Sequence, residues 1–245
     1  TLKTINNWTS DNTNGKIPVI LNKIDPNAVL YAINALYFNS EWKLRFDPDR
    51  TRNLPFHSEG GLPKSVAMMT MEENLSYYFN DTFSSVVLPY KNDKYAMTLI
   101  LPHEDKSLPE VVNMMDSEHW SQWQTSFASG NITVTLPKFT FSYEKKLNDI
   151  LKDLGLGIAF NSDLADFSNL SDTPTYISFV LQKTYIDVNE KGTEAAAVTV
   201  VGMDLTSAGP GKSLVFDRPF LFAITEKETG SICFMGKVGM PEYDN

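Results

Sequence analysis

Three histidines (His57, His103 and His119), one cysteine (Cys233) and acid pairs such as Glu72-Glu73 and Glu104-Asp105 are the obvious candidates for base, nucleophile or metal ligand in this 245-residue sequence. None stands at a spacing that such chemistry needs. The histidines form no His-Glu-x-x-His pair that would hold a metal on one helix face. No Gly-x-Ser-x-Gly elbow presents a serine. Gly155-Leu156-Gly157 lacks the rest of a dinucleotide fingerprint. Cys233 lies in the apolar run Ile232-Cys233-Phe234-Met235, which reads as a buried small hydrophobe rather than a reactive thiolate. His103, after Leu101-Pro102, reads as a solvated turn residue and the acid pairs as surface charge. The sequence does not read as an enzyme, and neither cofactor nor metal is expected.

A different kind of reactivity is written in residues 185–208. An apolar strand runs into Glu190-Lys191-Gly192-Thr193-Glu194-Ala195-Ala196-Ala197, and the chain then stays small and mostly uncharged to Ala208. Every second residue from Thr193 is small or apolar: Thr193, Ala195, Ala197, Thr199, Val201 and Met203. A strand period of 2 puts these six on one buried face and Glu194 on the other. No proline falls between residues 175 and 209, so no ladder donor is missing. The stretch has the pattern of a sheet strand without a sheet. A flexible linker has no need of such alternation.

The elements that would position this stretch follow from periodicity. Residues 1–13 read as a helix end, stopped at Asn14-Gly15. Residues 28–38 form a nearly continuous apolar run, expected as a central strand buried on both faces. Residues 84–89 and 94–101 make a hairpin around Asn92-Asp93. Ser107 opens a helix with Pro109 in its first turn and a stripe of Val111, Val112, Met115, Trp120 and Trp123. Ile132, Val134 and Leu136 alternate as a strand. Leu147, Ile150, Leu151 and Leu154 mark a short helix ending at Gly155. Residues 176–188 form the strand that feeds the alternating stretch, and residues 213–225 and 231–239 close the chain as two strands about a turn at 226–230. Many antiparallel strands with helices between them make an α+β pattern in one domain, residues 1–245.

Bulk properties narrow the function. At 42% hydrophobic residues the chain can bury a core. A net charge of −9 argues against a nucleic-acid partner, which needs a basic face. No apolar run reaches about 18 residues, so no membrane-spanning helix is expected. A single cysteine permits no internal disulfide and leaves the redox compartment open. Asn7, Asn74, Asn80, Asn131 and Asn169 each begin a glycosylation sequon.

Taken together the motifs resemble the serpins. Thr13-Asn14-Gly15-Lys16-Ile17, then Asn34-Ala35-Leu36-Tyr37-Phe38-Asn39-Ser40-Glu41-Trp42, then Leu136-Pro137-Lys138-Phe139 precede the hinge at 190–197. Phe216-Asp217-Arg218-Pro219-Phe220 and Phe234-Met235-Gly236-Lys237-Val238 follow it, in family order. The resemblance implies a serpin-like α+β fold of mostly antiparallel sheets with packed helices and an exposed insertable reactive loop, residues 190–212. It also implies that this is a carboxy-terminal part, with a third or more of the family's length preceding Thr1.

The function implied is irreversible suicide-substrate inhibition of serine, or papain-like cysteine, endopeptidases. A protease cuts the loop, and the hinge side inserts into the main sheet before the acyl-enzyme is hydrolysed. The alternative is a non-inhibitory member acting as a ligand-binding or chaperone module. Small residues at Thr193 and Ala195–Ala197 favour rapid insertion, since little polar surface or side-chain freedom is lost. Counting forward from Glu190 gives Thr206-Ser207 as the scissile bond; counting back gives Ala208-Gly209; Met203 and Leu205 are further alternatives. No Lys or Arg lies between Gly192 and Gly211, so elastase-, chymotrypsin-, subtilisin- or papain-like targets are expected rather than trypsin-like ones. Glu190 takes the place of the hinge glutamate and Lys138 that of its lysine partner, beside Trp42. Asn34 corresponds to a buried asparagine in the sheet-opening region, and Gln182 stands where the family usually has a histidine. Secretion and a monomer, or a pairing with a separate amino-terminal chain, complete the expectation.

Overall fold

The computed structural model describes residues 1–193 and 211–243, which form two compact units: residues 1–38 with 141–186, and residues 39–140 with 187–245. The strands in chain order begin with β1 (Leu30–Tyr37), β2 (Ser40–Glu41), β3 (Arg52–Phe56), β4 (Lys64–Phe79), β5 (Phe83–Pro89) and β6 (Tyr95–Pro102). They continue with β7 (Ala128–Pro137), β8 (Phe139–Lys146), β9 (Ile177–Asn189), β10 (Gly192–Thr193), β11 (Lys212–Val215), β12 (Phe220–Glu226) and β13 (Ile232–Val238). The α-helices are α1 (Leu2–Asn12), α2 (Leu108–Asn113), α3 (Ser117–Thr125) and α4 (Asn148–Leu151).

In the first unit β1 runs parallel to β9, with Asn34 opposite Gln182. Helix α1 ends where Asn14 and Gly15 adopt positive φ (50° and 77°) and the Gly15 amide returns to the Ser10 carbonyl. Its Leu2 and Ile5 pack on a core of Ile17, Ile20, Leu21 and Leu181, joined by Ile33 and Ala35 of β1. The side chain of Asn148 spans two positions of β9, donating to the Ser178 carbonyl and accepting from the Val180 amide. That contact ties α4 to the strand that leads to the hinge.

The second unit is built on one sheet in the order β11-β7-β4-β5-β6-β12-β13, with β3 beside β4. Strands β5 and β6 form an antiparallel hairpin, and Asp93 takes φ 56° in its turn. Ile132, Val134 and Leu136 of β7 are buried. Helices α2 and α3 cover one face through Val111, Trp120 and Trp123, against Phe83, Ile100 and Leu221. Phe139, Phe216, Phe220 and Phe222 form a second, aromatic cluster.

Several local expectations are corrected. The single helix from Ser107 is two: the Asp116 carboxylate accepts the His119 amide and starts α3 as a separate helix, which leaves Val112 exposed. The strand expected over 213–225 is broken at residues 216–219. There the Phe216 amide still bonds the Thr135 carbonyl, Pro219 has no donor, and Arg218 turns back to the Pro102 carbonyl. Strand β1 is half-buried rather than buried on both faces: Ile33 and Ala35 pack against the core while Asn34, between them, is exposed on the other face. Helix α4 passes at Gly155 (φ 96°) into irregular turns, and Leu154 is 74% exposed. Cys233 is exposed rather than buried, because β13 is an edge strand and alternate residues of it face outward.

Candidate functional site

Within the second unit β9 turns back on itself through Glu190 and Lys191, so that β10 lies antiparallel between Val188-Asn189 on one side and Ser40-Glu41 on the other. The Lys191 amide donates to the Asn189 side chain, an Asx turn that shapes the reversal. The two carbonyls of the turn are taken from outside it: Glu190 accepts from the Phe46 amide at 3.0 Å and Lys191 from the Trp42 amide at 2.9 Å. No backbone acceptor at the bend is left to solvent or to chance.

Glycine is required at the next position. Gly192 has φ 155°, and a Cβ there would lie 2.3 Å from the Ser40 carbonyl oxygen and 2.6 Å from the Glu41 Cα. Thr193 follows, fully buried, with its hydroxyl 2.8 Å from the hydroxyl of Tyr90. Tyr90 ends the β5 hairpin arm and stacks on Trp42, ring centroids 4.6 Å apart and 14° between planes. The Trp42 indole N–H donates to the Asn189 carbonyl at 2.9 Å. Burial pushes the Tyr90 phenol upward, and the hydrogen bond to Thr193 offsets only part of this, so the hydroxyl stays protonated.

Charged groups frame this seat. Lys138 Nζ lies 3.2 Å from Glu190 Oε2, with both side chains about one-seventh exposed (15% and 13%). The other Glu190 oxygen accepts from the Thr51 hydroxyl at 2.9 Å. Lys138 Nζ also stands 4.2 Å over the ring of Tyr243. Glu41 Oε2 receives Lys91 at 2.8 Å and Arg45 at 2.7 Å, and these hydrogen bonds hold its carboxyl below the ordinary range.

Glu190, Lys191, Gly192, Thr193, Trp42 and Lys138 are therefore brought together. Asn34 and Gln182 face each other as register partners in the first unit. Asn34 is exposed rather than buried: on the pleated strand its neighbours Ile33 and Ala35 carry the core contacts, and Asn34 points the other way. Glu194, Ala195, Ala196, Ala197, Met203, Leu205, Thr206, Ser207 and Ala208 lie outside the described residues. Tyr90, Thr51, Arg45 and Lys91 escaped the sequence reading, and Glu41 was named only within its strand motif. A buried tyrosine beside Pro89 at a strand end was the available signal for Tyr90; nothing local marked the others.

Among the described residues no group of His, Cys, Asp and Glu could hold a metal ion, and no helix is long and apolar enough to cross a membrane.

The chain is similar in sequence and fold to known proteins. An uncharacterized serpin-like protein of Methanosarcina acetivorans is 37% identical over 98% of this chain and 57% of its own length. The crystal structure of tengpin, a thermophilic serpin in its native state, is 38% identical with a TM-score of 0.86, over 96% of this chain and 62% of that one. Thyroxine-binding globulin in complex with thyroxine is 27% identical with a TM-score of 0.88, over 99% of this chain and 65% of that one. The chain thus spans about three-fifths of the length of these relatives. The family profile described as "Serpin (serine protease inhibitor)" matches residues 1–241. By its fold, by the order of its motifs and by this match, the chain belongs to the serpin family.

Proposed function

We propose that the protein inhibits endopeptidases irreversibly, as a substrate whose cut loop becomes a strand. The observation that carries this reading is the seat of Gly192 and Thr193 between Ser40-Glu41 and Val188-Asn189. A chain that already leaves β9 as a paired strand, followed by alternate small residues, can extend that pairing once its far end is cut free. The order of events is a race. The nucleophile of the protease attacks the scissile carbonyl and is acylated as the amine side of the bond leaves, and insertion must finish before water hydrolyses the acyl-enzyme. Alanines at 195–197 and the absence of proline keep insertion rapid. Cleavage at Thr206-Ser207 and a target that prefers apolar or small residues belong to the same reading, as does action outside the cell, which rests on resemblance alone.

Incubation with elastase-, chymotrypsin-, subtilisin- and papain-like proteases, followed by denaturing electrophoresis, tests it. A covalent adduct is expected with at least one of them, and the peptide released should begin at Ser207. Cleavage without adduct throughout the panel would overturn the proposal.

A second reading, a non-inhibitory member that carries a small ligand, is favoured by one feature. Between α3 and the sheet of the second unit lies a cavity of about 330 Å³, with Trp120 and Phe127 on its wall and Lys227 at its rim. The buried Thr98 hydroxyl that lines it has no hydrogen-bond partner among the described residues. Quenching of Trp120 fluorescence by aromatic carboxylic acids, lost on Trp120→Leu substitution, is the result this reading expects.

A further inference from the structure

The hinge is held by more than its backbone. Tyr90 is fully buried, 0% exposed, and comes from the β5 arm, 103 residues from Thr193 in the chain. Its ring is fixed by the Trp42 stack, and its backbone by an antiparallel bridge to Trp42 and a hydrogen bond from its N–H to the Tyr95 carbonyl. The hydroxyl therefore stands at a set point, 2.8 Å from the hydroxyl of Thr193. Thr193 is the first of the alternating residues, and its Cα partners are Ser40 and Val188. A threonine hydroxyl buried at this place would cost free energy if unpaired.

We propose that Tyr90 is a positioning residue for loop insertion: its hydroxyl seats Thr193, so that insertion extends a strand already begun instead of nucleating one. This rests on the inhibitory reading above. Closing the first pair of an extended segment is the entropically costly step, and later residues add to a pairing whose ends are already close. Tyr90 neither meets the protease nor takes part in acylation. It acts on the partition between trapping and release.

The discriminating experiment compares Tyr90→Phe, which keeps the stack on Trp42, and Thr193→Val, which keeps the shape of Thr193, with the parent. For each, the moles of protein consumed per mole of protease trapped and the association rate constant, counted over trapped and turned-over molecules together, are measured, along with hydrogen exchange of the Gly192 and Thr193 amides. Each substitution is expected to raise the consumed ratio roughly fivefold, the size of effect one lost hydrogen bond produces. The association rate should stay within about twofold, since the bait is not altered. Amide protection at 192–193 should fall in both variants, and the double variant should go no further than either single one.

An unchanged ratio in both variants would overturn the role of Tyr90 even if the parent forms an adduct. So would an equal fall in association rate and trapping, which would mark a general structural defect. Absence of adduct from the parent would overturn the inhibitory reading and this role with it. In that case the exchange data would still report whether Tyr90 seats Thr193, so the two failures are distinguishable.

Discussion

Gly192, Glu190 and Glu41 each do one physical job at the hinge, and each can be tested alone. At Gly192 the obstacle to a side chain is backbone, the Ser40 carbonyl and the Glu41 Cα, which cannot swing aside as a side-chain tip can. Gly192→Ala is expected to cost about 1–3 kcal/mol in chemical unfolding, from strain and overpacking, and to displace Thr193 from Tyr90. Glu190 has both oxygens engaged, one by Lys138 and one by Thr51. Lys138→Met is expected to destabilise by about 1–2 kcal/mol, more than a surface pair would, because the carboxylate stays behind largely buried. Glu41 is held below the ordinary carboxylate range first by Lys91 and then by Arg45. Its contribution is complete above the unfolded-state pKa and is lost as pH falls through the lowered folded value. A Glu41→Gln variant should therefore lose stability less steeply than the parent as pH falls below about 4, in melting curves taken across the acid range. Of these groups, Gly192 and the Lys138–Glu190 contact were legible from motif order. Glu41 was legible only as part of a strand motif, because its partners Lys91 and Arg45 stand 50 and four residues away along an irregular chain, and charge alone does not announce a partner.

The elements were legible where a local signal agreed with the packing, and were misread where local chemistry cut a periodic pattern. Asn14-Gly15 stops α1 because both positions take positive φ. Asn92-Asp93 turns β5 into β6. The apolar stripe from Val111 to Trp123 keeps helical spacing straight through Asp116, yet that aspartate caps a new helix. Periodicity reports which face is apolar and is blind to a cap that resets the phase. Residues 213–225 look like one strand by composition, but the chain leaves β7 and reaches β6 in between. Capping gives the element-scale test. Ser107 and Glu110 form a reciprocal capping box at the start of α2, and Ser107→Ala is expected to lower stability by about 0.5–2 kcal/mol. Thr98 gives a test of opposite sign. It lies on β6 between Val87 and Ala223, with its hydroxyl buried and unpartnered among the described residues. Thr98→Val should stabilise by about 1 kcal/mol, since the desolvated hydroxyl is replaced by a methyl of the same shape.

At the scale of the whole molecule the fold class and family were readable because separated motifs kept one order from Thr13 to Val238, which no single motif could establish. The seat of the hinge was not readable. It depends on Ser40, Trp42, Phe46 and Tyr90 converging on residues 189–193, and sequence separation hides convergence. Each unit keeps its own core, Ile17, Ile20, Leu21 and Leu181 in the first and the aromatic cluster about Phe220 in the second. A protein whose loop completes a sheet only after cleavage must be less stable intact than cut. The measurement that tests this most directly is the melting temperature of the protein before and after a single cut in the loop between Met203 and Ala208. The account expects the cut form to melt higher by about 10 °C or more, which for a chain of this size corresponds to several kcal/mol gained by the new strand. A cut form that melts at the same temperature or lower would contradict loop insertion, and with it the mechanism of trapping.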